Sequence, residues 1–383
     1  MMLNDETKTK QINEHNKDDK EFLEFLKNKG YKVYKTILDT KEEKMQVILQ
    51  SVIDKMVGPE YLNLNINVKL VFLTNSDINA SVIKIGETYY ISLFIGTLRE
   101  VGPFVQNFIM EKLSKELIEE GFGDINFNSL GMYSFFDEEN IENNKNRNLA
   151  NFIANNILLL LVYHELGHIF SGHQEFEHYQ EMHMEAVNFE KQDILAQAKE
   201  FMADFFSLTN VINIFYRNNT ETIERVIQCH ALCLCSLYSL YLYFDIGKQG
   251  NTYEELFHRS HPHPAVRLTY MMDFADSEVE FQLGQIYQPE WFKGKESEFT
   301  QEICAKAMWI LSGFITEINC NEANLMEKSF EICNLRIRCL IQNVANDLYE
   351  ETYRDKALVK LKEIGTVGYD YIKNMIEYEK IRR

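Results

Sequence analysis

The sequence predicts an α+β protein, mostly α-helical, with a small antiparallel β-sheet and a helical C-terminal extension. Three observations predict it. Apolar residues recur at helical spacing over much of the 383-residue chain, one short region alternates at strand periodicity around a glycine turn, and a continuous apolar run leads into a histidine–glutamate cluster.

Residues 1 to 20 are rich in Lys, Asp and Asn and hold no apolar stretch of the kind a secretory signal needs. From 20 to 57, Phe22, Phe25 and Leu26, then Val47, Ile48, Val52 and Ile53, fall at helical intervals and predict a helical lead-in. Leu62, Leu64, Ile66 and Val68 alternate with Asn63, Asn65, Asn67 and Lys69, the pattern of a half-buried strand with one polar face. Ser81 to Ile85 and Thr88 to Phe94 are β-branched and aromatic, joined by Gly86-Glu87, a two-residue loop with glycine first as a type II′ turn prefers. An antiparallel hairpin follows. Its sheet either covers a helix or offers an edge to an extended peptide through main-chain hydrogen bonds. Gly96 to Glu120 reads as a helix ending near Gly121 and Gly123, and Asp137 to Asn148 as a flexible surface loop suited to gating or recognition.

The chemistry begins at His164-Glu165-Leu166-Gly167-His168, which ends the apolar run Ile157 to Val162 and is followed by Ile169-Phe170. Residues i and i+4 of a helix share a face, about 6 Å apart along the axis, so both imidazoles can reach one zinc ion. Glu165 is turned about 100° from His164. It can miss the metal and meet the attacking water as a general base. An amphipathic helix with surface histidines is the alternative, which the apolar flanks disfavour because an unpaired polar cluster is costly to bury.

A catalytic zinc needs a third protein ligand and an open position. Glu200 and Asp204 are again i and i+4, on a segment carrying Phe201, Phe205, Phe206 and Leu208. Glu200 is assigned as the third ligand, and Asp204 as the acceptor of a liganding histidine's free ring N–H, which fixes its tautomer. Ala203 lets this helix approach the first closely. The carboxylates Glu175, Glu177, Glu181, Glu185 and Glu190 lie in a polar stretch without an apolar face. That stretch, 173 to 193, also carries His173, His178 and His183; it reads as a solvated acidic lid, with a second metal site as the less favoured reading.

Val226 to Ile246 is long and leucine-rich, but His230, Gln228, Ser236 and Ser239 dilute it. It reads as a buried core helix rather than a membrane span. His230 is expected to be a satisfied core histidine, and Cys229, Cys233 and Cys235 small core residues. In Ser260-His261-Pro262-His263-Pro264-Ala265-Val266-Arg267 two prolines hold the backbone extended. His261 or Arg267 can there stabilise an oxyanion, or the segment is simply a helix entry with Pro264 near the first helical position. From Glu296 to Arg383, Ile303, Ala307, Ile310 and Leu311, then Leu335, Ile337, Leu340 and Ile341, predict a helical accessory bundle suited to docking a regulatory partner.

Taken in order, His-Glu-Leu-Gly-His, Glu200-x-x-Ala203-Asp204 and Ser260-His261-Pro262 with Arg267 resemble the gluzincin zinc metallopeptidases, nearest the soluble Lit-type phage-exclusion peptidases and the HtpX and CAAX-prenyl-protease type. Ile78-Asn79-Ala80 before the hairpin also resembles that pattern, and the similarity covers roughly residues 60 to 275. The resemblance implies a zincin-like core, zinc ligands at His164, His168 and Glu200, a base at Glu165, a supporting carboxylate at Asp204 and transition-state contacts near His261 and Arg267. It further implies phage exclusion, an antiviral defence, as the biology.

The expected division is a lead-in over 1–57, a metallopeptidase domain over 58–275 and an accessory region over 276–383. A net charge of −19 works against sequence-independent nucleic-acid binding and favours neutral or basic protein substrates. Seven cysteines with no Cys-x-x-Cys pair suggest reduced thiols in the cytoplasm. The expectation is a soluble zinc endopeptidase that cleaves a protein or peptide substrate, with no membrane or nucleic-acid partner. The alternative is a binding or sensor protein whose zinc is closed off by a fourth ligand such as His173 or a lid glutamate.

Overall fold

A computed structural model describes residues 16–35, 40–58, 66–110, 135, 144–171, 173, 189–245, 261 and 264–318. The chain divides into two compact units: Met1–Leu98 with Glu165–Asn188 and Asn343–Arg383, and Arg99–His164 with Phe189–Gln342. The fold is mostly helical with one three-stranded sheet, an α+β protein.

In the first unit, α1 (Lys17–Asn28) starts where the Asn16 side chain accepts the Asp18 and Asp19 N–H groups, and two acidic residues in its first turn suit the helix dipole. α2 (Lys41–Val57) is capped likewise by Thr40. The strands are β1 (Asn67–Leu73), β2 (Ala80–Ile85) and β3 (Thr88–Phe94). β2 and β3 form the expected hairpin, with Gly86 at φ 58° in its two-residue loop. There the Asp18 carboxylate accepts the Glu87 N–H and the Thr88 hydroxyl, and a Cβ on residue 86 would fall 2.3 Å from Asp18 Oδ1.

The all-antiparallel sheet expected from sequence is corrected. The order is β1-β3-β2, with β1 parallel to β3. Every residue of β3 is buried, so this strand takes the centre and runs alongside β1 after the hairpin reverses the chain. β1 likewise lacks a polar face: all but Asn67 are buried. Its polar member, Lys69, is neutralised by Asp19, whose two oxygens each accept from Nζ at 2.7 Å while Tyr90 Oη donates to Oδ1 at 2.6 Å. Residues 62–65 of the expected strand lie outside the described residues. The outer edge of β1 is covered by α2: Gln50 accepts the Leu70 N–H and donates to the Val68 carbonyl, and Gln46 donates to the Leu70 carbonyl. That leaves β2 as the sheet's other edge. Phe22 stacks on Tyr90, ring centroids 4.0 Å apart, in a core with Leu26, Val71, Leu73 and Phe94.

Removing one partner of the Asp19–Lys69 pair strands a buried charge, which costs about 3–5 kcal/mol. Lys69→Ala is therefore expected to lower the denaturant midpoint by that equivalent, and a midpoint within error of wild type would show the pair to be dispensable.

α3 (Ile95–Phe104) starts at the end of β3 and closes in a π-helical turn, Val105–Met110. The remainder of the helix expected to Glu120 and residues 137–143 of the expected loop lie outside the described residues; Asn144 to Asn148, expected in that loop, are instead helical and open the next helix. The second unit is a helical bundle of α4 (Asn144–Phe170, continuing past the unit boundary at His164), α5 (Phe189–Tyr216), α6 (Ile223–Asp245), α7 (Pro264–Phe281) and α8 (Glu296–Ile318). Ser207 on α5 donates to the Leu160 carbonyl at 2.7 Å, and Phe152 meets Phe215 edge to face. α4 and α6 are long and apolar enough to cross a membrane by length and composition, yet 94% and 89% of their apolar windows are buried within the protein. The expected accessory bundle is represented by α8; residues 319–383 lie outside the described residues.

Candidate metal centre

α4 is buried on nearly all sides through Ile157 to Val162, so the chain can afford polar groups in its next turn only if they are partnered. His164, Glu165, Glu200 and Asp204 are nevertheless all buried. His164 Nδ1 lies 2.9 Å from Asp204 Oδ1, and His164 Nε2 lies 3.1 Å from Glu200 Oε2. Since an ionised carboxylate only accepts, the Nδ1 proton belongs to the Asp204 contact, and Nε2 is the atom turned toward Glu200. Ala203 is fully buried at the same level of α5.

One turn further along α4 is His168. One ligand atom each from His164, His168 and Glu200 lies within 4.8 Å of the others, a group able to hold a metal ion. His168 Nδ1 is 2.6 Å from Nδ1 of His173, which is 3% exposed. A contact that short between two ring nitrogens requires one to donate and the other to accept. This corrects the solvated-lid reading at residue 173; residues 174–188 lie outside the described residues.

Behind Asp204 stands Arg267, on the first turn of α7. Its Nε donates to Asp204 Oδ2 at 2.8 Å and its Nη2 to Asp204 Oδ1, while the guanidinium lies 4.3 Å over the Tyr241 ring. Nη2 is also 3.9 Å from Glu200 Oε2. His261 differs: its Nε2 is 3.5 Å from Glu200 Oε2, but its side chain is 56% exposed. Pro264 opens α7, as a helix entry requires. So of the two residues considered for oxyanion contact, Arg267 is committed to the carboxylates and His261 faces solvent.

Electrostatics follow from this packing. Burial alone would lower the basicity of His164, but Glu200 and Asp204 outweigh it and hold its pKa at about 10. Burial would raise the Asp204 carboxyl, yet Arg267 and His164 keep it below the usual carboxylate range. The pocket of carboxylates thus draws a positive charge to His164 Nε2. A metal must displace that proton, so its affinity should keep rising with pH through neutrality and level off near pH 10 rather than near the ordinary histidine value of 6.5. In the metal-free protein the sign is opposite: the raised pKa stabilises the fold fully below about pH 6.5, and that contribution fades as pH climbs through about 10. Isothermal titration across pH 6 to 10 reads the first; a plateau from pH 7 upward would contradict it.

Cys229, Cys233 and Cys235 are buried free thiols of the α6 core, as expected. His230 is fully buried but not fully satisfied: its Nδ1 has no hydrogen-bond partner among the described residues. No protein-family model, curated protein or solved structure matches this chain.

Proposed function

We propose that the protein is a zinc-dependent endopeptidase of gluzincin type, with a zincin-like core. The observation that carries this reading is the convergence of His164, His168 and Glu200 with Asp204 behind His164. Two imidazoles and one carboxylate suit a borderline ion such as zinc, and three protein ligands leave a position open. Bound there, the ion would polarise the scissile carbonyl and the attacking water.

The chain's own residues do the rest. Glu165, buried and adjacent in sequence to a ligand, takes the proton of the attacking water and returns it to the leaving amine. His261, the exposed imidazole beside Glu200, donates to the developing oxyanion. Arg267 acts through Asp204 as a positioning residue, holding the carboxylate that orients His164. The β2 edge is the place where an extended substrate can add a strand. The net charge of −19 favours a neutral or basic protein substrate, and cleavage in defence against phage is the biology that the motif pattern supports.

The test compares the protein termini of cells expressing the wild type and Glu165→Gln. New termini confined to the wild type support the reading; identical sets of termini reject it.

A second reading has its own support in the buried His173 against His168. If His173 shares the metal, the site is closed and the protein is a metal-stabilised binding or sensor module. X-ray absorption on the zinc-loaded chain separates the two: three protein ligands plus a light oxygen for the enzyme, four protein ligands for the module.

A further inference from the structure

Three helices of the second unit turn one ligand-type side chain each to a common point away from the residues above. His230 comes from α6, Asp276 from α7 and Cys304 from α8, with one ligand atom of each within 4.8 Å of the others. His230 is 0% exposed and Cys304 is buried, whereas the Asp276 side chain is 39% exposed. The point is therefore dry on two sides and reachable from solvent on the third.

As it stands, the cluster is satisfied only in part: the Cys304 thiol hydrogen-bonds to Asp276. His230 Nε2 to Asp276 Oδ1 is 3.4 Å, long for a hydrogen bond, and His230 Nδ1 has no partner among the described residues. The hydroxyl of Tyr216, also fully buried, has no hydrogen-bond partner among the described residues either. Burying such groups unmatched is unfavourable. Burial raises the Cys304 thiol well above its ordinary value, and Asp276 adds to the effect, so the group is a thiol at neutral pH when nothing binds it. That weighs against a cysteine nucleophile, which needs a cationic neighbour. A coordinated divalent cation instead displaces the thiol proton to solvent outright.

We infer that His230, Asp276 and Cys304 form a second divalent-cation site, for a thiolate-accepting ion of the zinc type, with its remaining position open past Asp276. In a tetrahedral site with bonds of about 2.0–2.3 Å the donors stand about 3.3–3.8 Å apart, so the observed group needs side-chain adjustment of about 1 Å and no change of fold. With one ligand from each of three helices, the ion acts as a clip across α6, α7 and α8. It shares no ligand with His164, His168 or Glu200, and its fate does not depend on the proposed peptidase reading.

The test uses the full chain and cobalt(II) as probe, in the His168→Ala background so that the other centre is weakened. Cobalt bound by a thiolate gives a near-ultraviolet charge-transfer band. The His168→Ala protein should show that band at one equivalent and melt at a higher temperature when loaded. Adding Cys304→Ser should abolish the band and weaken cobalt binding by more than about 100-fold, beyond what loss of an outer partner costs. Absence of the band in His168→Ala, or its persistence in the double variant, overturns the inference. Should the serine variant not fold, Asp276→Asn at the partly exposed ligand replaces it: weaker cobalt binding with the band retained supports the site, and unchanged affinity rejects it.

Discussion

Glu165→Gln is expected to abolish peptide hydrolysis while leaving the metal bound. The substitution keeps the size of the side chain and its place on α4, one residue after His164, but removes the only function the proposed reaction asks of it, a carboxylate that can accept and return a proton. Loss of a general base costs about 10²–10⁴ in rate, and here the same group serves both the water and the leaving amine, so turnover should fall by the upper part of that range. Zinc content by mass spectrometry should stay at the wild-type level because neither imidazole nor Glu200 changes. His168→Ala must behave differently, losing the metal at this centre and hydrolysis together. Undiminished cleavage by the glutamine variant, at equal protein and equal zinc, would end the mechanism. Loss of metal from that variant would instead make Glu165 a ligand and return the site to the closed, non-catalytic reading.

The parts of this site that were legible in the sequence are those set by local periodicity. His164 and His168 share a helical face because helices have 3.6 residues per turn, and Glu200 with Asp204 repeats the same spacing on α5. The hairpin was legible because Gly86 takes the positive φ that a two-residue loop demands. What periodicity does not encode is which strand lies beside which. Leu62 to Lys69 alternates in residue type, yet β1 is buried on both faces from Val68 to Leu73, and Asp19, from a helix fifty residues earlier, neutralises Lys69. The burial of His173 and the unmatched Nδ1 of His230 were not legible for a related reason. Both stand in polar or mixed company along the chain, and only the tertiary arrangement puts His173 against His168 and His230 beside Asp276 and Cys304. Arg267 is a candidate from its place just after the rigid His261-Pro262-His263-Pro264 segment, but its attachment to Asp204 depends on how α7 meets α5.

That attachment makes Asp204 the residue whose loss should be felt most widely. Asp204→Ala removes the acceptor for His164 Nδ1 and both acceptors for Arg267 in a single change. Two consequences should follow together. Breaking a buried ion pair from one side costs about 3–5 kcal/mol, because the remaining charge stays out of water. Here the lower end is expected, since Arg267 keeps the Tyr241 ring at 4.3 Å and Glu200 at 3.9 Å. Zinc affinity at the His164 centre should fall about 10–100-fold, the usual cost of removing the carboxylate that fixes a liganding histidine. Urea denaturation of the metal-free variant reads the first effect and competitive chelation of the folded variant reads the second. Asp204→Asn discriminates between them, since the amide oxygen can still accept from one partner while the negative charge that compensates Arg267 is gone: stability should fall nearly as far as in the alanine variant, while affinity for zinc recovers in part. If the asparagine variant were as stable as wild type, the Arg267–Asp204 pair would not be what holds α7 to the site, and the positioning role assigned to Arg267 would have to pass to its contact with Glu200.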